Sequence, residues 1–350
     1  MRPPFALLLT IPIILGSTGC DTGTSTNDRS PLPAGDSTTR ALADLEARIV
    51  ADPDNGALYA ERARFHRSVG KPDAAIADLK RALLMDSMNV RYRIELGDLY
   101  YTGLKIKEAD EQFQLALKID PTNNEATLKE AEVQVVAFRQ YGKGVDLVNE
   151  ALRRDPNLAQ GYFIKGWAFM ENHDTAKAIS SYRTCVEQDP SYYQAWMELA
   201  IAHAEQHDPL SLEYYNTAIE LRPQQVEAWY GKGMYCQENG MDSIALECYD
   251  RIKHLDPRNA LAWYNSGYIH LEHRHDARRA VGQFTAAGKL LPSYHQAFFN
   301  RGLAYERSDV LDSAAADYQH ALRIKPDYDP AAQALMRLQS KGLRILPTKK

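Results

Sequence analysis

The chain has 350 residues, 45% of them hydrophobic and 25% charged, with a formal net charge of -5. That length suits two ordinary domains or one long repeat array, and the composition excludes collagen-like and wholly disordered chains. The slight acidity gives no electrostatic reason to expect nucleic acid binding, and four cysteines without a paired CxxC spacing exclude a disulfide scaffold or a cysteine zinc site.

In chain order, Arg2 is the only charge before Asp21, and Phe5 to Leu15 is an apolar run of eleven residues. The run is too short to span a bilayer. Its basic start, apolar middle and small-residue end predict an export signal over residues 1–19. Gly19 followed by Cys20 resembles the bacterial lipoprotein signal, and the resemblance implies lipidation of Cys20 and a periplasm-facing membrane surface, with cleavage to a soluble exported protein as the alternative. Residues 20–36 then form the lipidated cysteine and a tether almost free of large apolar side chains, which cannot bury a core. Sixteen such residues reach on the order of 20 to 25 Å.

The body is periodic. Pro53, Ser87, Pro121, Pro156, Pro190, Pro223, Pro257, Pro292 and Pro326 recur every 33 to 35 residues. Ten residues after each mark the side chain is small: Ala63, Gly97, Ala131, Gly166, Ala200, Gly233, Gly267 and Gly302. Eight before the next mark it is large and apolar: Leu79, Phe113, Val148, Tyr182, Tyr215, Tyr249, Phe284 and Tyr318. A small residue lets two helices approach and a bulky one fills the gap, so each period predicts a helix pair. This pattern resembles the tetratricopeptide repeat family over Asp54 to about Pro326. The aromatic that the family places six residues after the mark stands at Tyr59, Tyr162, Trp196, Trp229, Trp263 and Phe298, and is missing at Arg93 and Thr127. The third repeat departs most, with Glu130 and Gln134 at positions that should be apolar and an extra residue near Tyr141 to Gly144.

The expected fold is therefore an all-α, tetratricopeptide-repeat superhelical solenoid. It comprises a half-repeat helix over 37–53, eight helix-turn-helix repeats over 54–326, a capping helix over 327–346 and a basic tail at 347–350. A stacked array needs such a cap to cover its last apolar face. Nothing is left over for a separate catalytic domain.

The residues seven and eleven after each mark form an i, i+4 pair, which the resemblance places on the concave groove. In repeats four to eight they read Phe163 and Trp167, Met197 and Ile201, Tyr230 and Met234, Tyr264 and Tyr268, Phe299 and Leu303. In repeats one to three they read Ala60 and Arg64, Ile94 and Asp98, Leu128 and Glu132, so the groove changes character near residue 160. Contiguous apolar surface marks a partner site, unless the winding of the superhelix buries it internally. Glu171, Glu205, Glu238 and Glu272, followed by Arg307, predict an acidic stripe beside the apolar floor, with an ordinary solvated face as the alternative. Together these features favour a protein or peptide ligand with apolar and some basic side chains. The family's clamp for acidic carboxyl termini has only fragments here, at Asn265 and Asn300.

No cofactor, metal or catalytic residue is expected. His270, His273, His275 and His254 are scattered over a core-facing register, a turn and a neighbouring helix, and no glycine-rich phosphate loop or paired-carboxylate cleft is present. Cys185, Cys236 and Cys248 occupy packing positions, with a Cys236–Cys248 disulfide as the alternative. The reading is a lipid-anchored, non-catalytic scaffold of the cell envelope. Its rivals are an adaptor for an envelope hydrolase and a self-associating element whose groove is filled by another copy.

Overall fold

The computed structural model describes residues 34–344, so the signal segment, Cys20 and most of the tether lie outside the described residues, as does the tail from 345. Helix α1 spans Ala34–Ala51, so the last residues assigned to the tether are already helical. The eight first helices are α2 (Gly56–Ser68), α4 (Val90–Thr102), α6 (Asn124–Val136), α8 (Ala159–Glu171), α10 (Tyr193–Glu205), α12 (Val226–Glu238), α14 (Ala260–Tyr268) and α16 (His295–Arg307). Each is followed by a second helix: α3 (Pro72–Met85), α5 (Ile106–Ile119), α7 (Tyr141–Arg154), α9 (Thr175–Gln188), α11 (Leu210–Leu221), α13 (Asp242–Leu255), α15 (Ala277–Leu290) and α17 (Leu311–Ile324). Helix α18 (Asp329–Ser340) closes the array. The all-α solenoid expected from the period is thus the observed architecture.

Local chemistry explains where the helices begin and stop. The aspartates that precede the repeating prolines accept a backbone N–H two residues on, at 2.9 to 3.1 Å for Asp120, Asp155, Asp189 and Asp256, which turns the chain. Asn55, Asn89, Asn123 and Asn259 then cap the first helix by accepting from its opening amides. The aromatic six residues after the mark staples this entry: the indoles of Trp196, Trp229 and Trp263 donate to the carbonyls of Pro190, Pro223 and Pro257 at 2.8, 3.1 and 3.5 Å. The supposed gap at Arg93 is filled in kind, since its guanidinium donates to the Ser87 carbonyl at 2.6 Å.

Within each repeat the small and large positions meet as the spacing implied. A Cβ added at Gly97 would lie 2.4 Å from the Phe113 ring, and one at Gly166 would lie 2.5 Å from Tyr182. Tyr182, Tyr215, Tyr249 and Tyr318 are fully buried in these seams. Removing one such side chain from water contributes roughly 2–3 kcal/mol.

Two irregularities differ from expectation. The extra residue of the third repeat is absorbed before Tyr141, where Gln140 N donates to Gln134 O at 2.8 Å and widens the end of α6, while α7 is regular from Tyr141. The seventh repeat, also 35 residues from Pro257 to Pro292, absorbs its extra residue as a π-helical turn over Ile269–His273. The spacing alone could have flagged this second site.

Candidate binding groove

Three pairs of successive first helices touch directly, α4 with α6, α6 with α8 and α10 with α12, whereas no two second helices make contacts of that extent among the described residues. A stack in which only the first helices meet must bend toward them, so their outward residues line the inside of the curve. The ten apolar positions are those that the family resemblance assigns to this face.

Their exposure is lower than an open apolar patch would have. Met197 is buried and the other nine are half-buried. The residue seven after the mark is partly consumed by packing. Phe163 lies between Tyr182 of its own repeat (5.7 Å) and Tyr192 of the next (5.0 Å), Tyr264 between Phe284 (5.6 Å) and Tyr294 (4.8 Å), and Phe299 between Tyr318 (5.6 Å) and Tyr328 (5.3 Å). Tyr230 packs on Tyr249 at 6.3 Å. Asn265 and Asn300, the two fragments of a carboxylate clamp, are spent on these rings. Asn300 donates to the Tyr264 hydroxyl at 2.8 Å, and Asn265 donates to the Tyr230 hydroxyl and the Met234 sulfur at 3.4 Å each. The residues eleven after the mark, Trp167, Ile201, Met234, Tyr268 and Leu303, keep part of their surface open while packing on the cores below.

The acidic stripe is shorter than expected as an open surface. Glu171, Glu205 and Glu238 are exposed, but Glu272 is half-buried and gripped by both oxygens at 2.8 and 2.9 Å by Arg307, which also donates to Leu271 O. The residue that seemed merely to end the stripe folds back and neutralises its last member.

Sequence reasoning missed the position eight after the mark. In the amino-terminal repeats it pairs with the position eleven after the preceding mark, forming ion pairs along the groove: Arg64 with Glu95 at 2.9 Å and Asp98 with Lys129 at 2.8 Å. The same position in the fifth repeat is Glu198, half-buried, whose carboxyl is pushed up to about 7, first by burial and then by Glu205 and Glu171. Glu132 is also raised, mainly by burial.

Among the described residues no three His, Cys, Asp or Glu side chains gather as a metal site. His270 is buried, His273 Nδ1 lies 2.6 Å from Asp242, and His275 occupies the turn with φ 54°. Cys185, Cys236 and Cys248 are buried free thiols, and burial pushes Cys185 and Cys248 up to about 12. Such thiols are poor nucleophiles.

The tetratricopeptide repeat family profile matches residues 61–124, 163–211 and 271–329. Human DnaJ homolog subfamily C member 3 is 25% identical over 201 residues, which cover 52% of this chain and 39% of that protein. Human protein O-mannosyl-transferase TMTC1 is 27% identical over 202 residues, covering 46% of this chain and 22% of that protein. The chain therefore spans well under half the length of the curated relatives it matches. Among solved structures, Pseudomonas aeruginosa pilF superposes with a TM-score of 0.52 at 16% identity, covering 60% of this chain and 95% of that one, a likeness of fold alone.

Proposed function

The chain belongs to the tetratricopeptide repeat family, and from that premise we propose that it is a non-catalytic scaffold that captures a partner protein or peptide in its inner groove. The observation that carries this reading is that five apolar residues at the positions the resemblance assigns to the groove, Trp167, Ile201, Met234, Tyr268 and Leu303, stay half-buried rather than buried. A prearranged row of shallow apolar pockets binds an extended or helical segment without first ordering itself, which removes one cost of association. Lipidation at Cys20 is part of the proposal: it would confine the encounter to a periplasm-facing membrane surface and raise the effective concentration of a membrane-borne partner.

The test is crosslinking in intact cells followed by mass spectrometry, with Trp167→Ala and Tyr268→Ala alongside the natural chain. Recovery of the crosslinked partner is expected to fall several-fold for both variants while helicity is unchanged. Undiminished recovery would move the site off this face. A stable dimer of the unlipidated chain by light scattering, dispersed by the same substitutions, would instead make a second copy the occupant.

A further inference from the structure

The ion pairs that run along the inner face stop abruptly, and the stop leaves carboxylates behind. Arg64 meets Glu95, and Asp98 meets Lys129, each pair linking one repeat to the next. By the same register Glu132 of the third repeat should meet a cation eight residues after Pro156, but Ile164 stands there. Glu198 of the fifth repeat should meet a cation eleven residues after Pro156, but Trp167 stands there. The fourth repeat thus withholds a positive charge on both sides. Glu132 is only 7% exposed and makes no hydrogen bond or ion pair, and the nearest cation on its own helix, Lys129, is held by Asp98 at 2.8 Å. Glu198, half-buried, is likewise without a partner, and its charged neighbours Glu171 and Glu205 are acidic. Lys129, shared with Asp98, only partly offsets the burial of Glu132, and Glu198 has acidic neighbours alone; a buried carboxylate short of positive charge is costly to keep charged, and the cost is recovered when a cation arrives.

The surroundings suit such an arrival. Phe163 and Trp167 stand edge to face at 6.3 Å, and Tyr192 packs on Phe163 at 5.0 Å, so the repeat between the two that bear these acids presents clustered aromatic rings. Trp167 packs on the core that Leu128, Ala131 and Val135 of the helix bearing Glu132 form with Val148, Ala151, Ile164 and Ala168. Burial above all raises the hydroxyl pKa of Tyr101 in the second repeat and of Tyr192 at the entry to the fifth, and the Glu132 carboxyl adds to both, which puts it near each of them. Ring faces attract ammonium and guanidinium groups, most strongly where water is partly excluded.

We propose that the groove takes two lysine or arginine side chains of an extended, otherwise apolar partner segment, one at Glu132 and one at Glu198, on either side of the Phe163 and Trp167 rings. This rests on the groove being the binding face and adds the register and charge of what binds there. The fourth repeat is then the specificity element: its two departures from the pairing pattern leave places that only the partner's cations complete.

The test uses fluorescence anisotropy on the chain from residue 21, with a labelled decapeptide of alternating Lys and Leu and its counterpart with Gln in place of Lys. The Lys peptide is expected to bind at least about tenfold more tightly than the Gln peptide, as for hydrogen bonds to a desolvated charge. Glu132→Gln with Glu198→Gln is expected to erase that difference, and Glu198→Gln alone, at the more accessible acid, to reduce it. Trp167→Ala is expected to weaken both peptides. Equal binding of the two peptides, or discrimination that survives the double substitution, overturns the cation inference while leaving the groove reading in place. Failure of both peptides to bind, or indifference of both to Trp167→Ala, overturns the groove reading itself.

Discussion

The turn inside every repeat turns on one left-handed residue. Gly70 and Gly240 hold it in two repeats, while Leu104, Arg139, His173, His207, His275 and Asp309 hold it in the others, with φ between 54° and 60°. A Cβ in that conformation costs on the order of 1 kcal/mol, and at Leu104, 83% exposed, no packing compensates. Leu104→Gly is expected to raise the urea midpoint by an amount equivalent to roughly 0.5–1 kcal/mol, the gain being trimmed by the extra entropy of glycine in the unfolded chain. A midpoint that stays or falls would contradict this. Glu130 is a second residue-scale case. It is 3% exposed, one oxygen accepts from Gln134 at 2.9 Å, the other has no partner, and Gln134 also donates to Asp110. Burial, and then the charge of Asp110, push the Glu130 carboxyl up to about 7. An unfolded glutamate titrates near about 4.3, so between these values the folded chain holds a proton the unfolded chain has released. The stabilisation is complete below the lower value and is lost as pH rises through the upper one. Glu130→Gln is therefore expected to be more stable than the natural chain at pH 8 and nearly equal at pH 4, measured by urea unfolding. A gap of equal size at both would rule out the titration.

At the scale of elements, the helix pair is specified by contacts within about 34 residues, and the sequence shows it plainly. Small and large residues alternate on facing helices because no other pairing fits, so Gly166 opposite Tyr182 was legible in advance. The entry staple was only half legible, because its requirement is a donor that reaches the carbonyl of the mark. Arg93 meets that requirement without being aromatic. The closing helix follows a different rule. Ala331, Ala334 and Leu338 of α18 are fully buried against α17, and Arg337 and Lys341 converge on Glu306 at 2.7 and 3.2 Å. The Arg337 guanidinium above all holds the Glu306 carboxyl down to about 2. Ending the chain before Asp329 would expose the apolar face of α17. The truncated protein is expected to keep its helicity but to self-associate or precipitate, as read by light scattering. A monodisperse monomer would show that α18 is dispensable as a cap.

For the whole molecule, the bend that brings first helices together turns two rows of side chains into one inner wall. In the amino-terminal half that wall is closed by ion pairs, and in the carboxy-terminal half by stacked rings whose rims and neighbours remain partly open. The proposed anchor belongs at this scale too, since it decides which partners such a wall can meet. Cys20→Ser is expected to shift the chain from the membrane fraction to the soluble fraction of cells; a variant still sedimenting with membranes would count against lipidation.

The sequence by itself determined the period, the helix pairs and the small and large seams. These depend on neighbours along one helix or in its immediate partner, where 3.6 residues per turn dictates which side chains meet. Only the tertiary structure decided which charges are spent and which are left. Glu272 is neutralised by a residue 35 positions away, Asn265 and Asn300 are taken by rings of the preceding repeat, and Glu132 and Glu198 face positions that supply nothing. Such outcomes depend on distances between repeats, set by how the stack bends, and a periodic pattern read along the chain carries no measure of that bend.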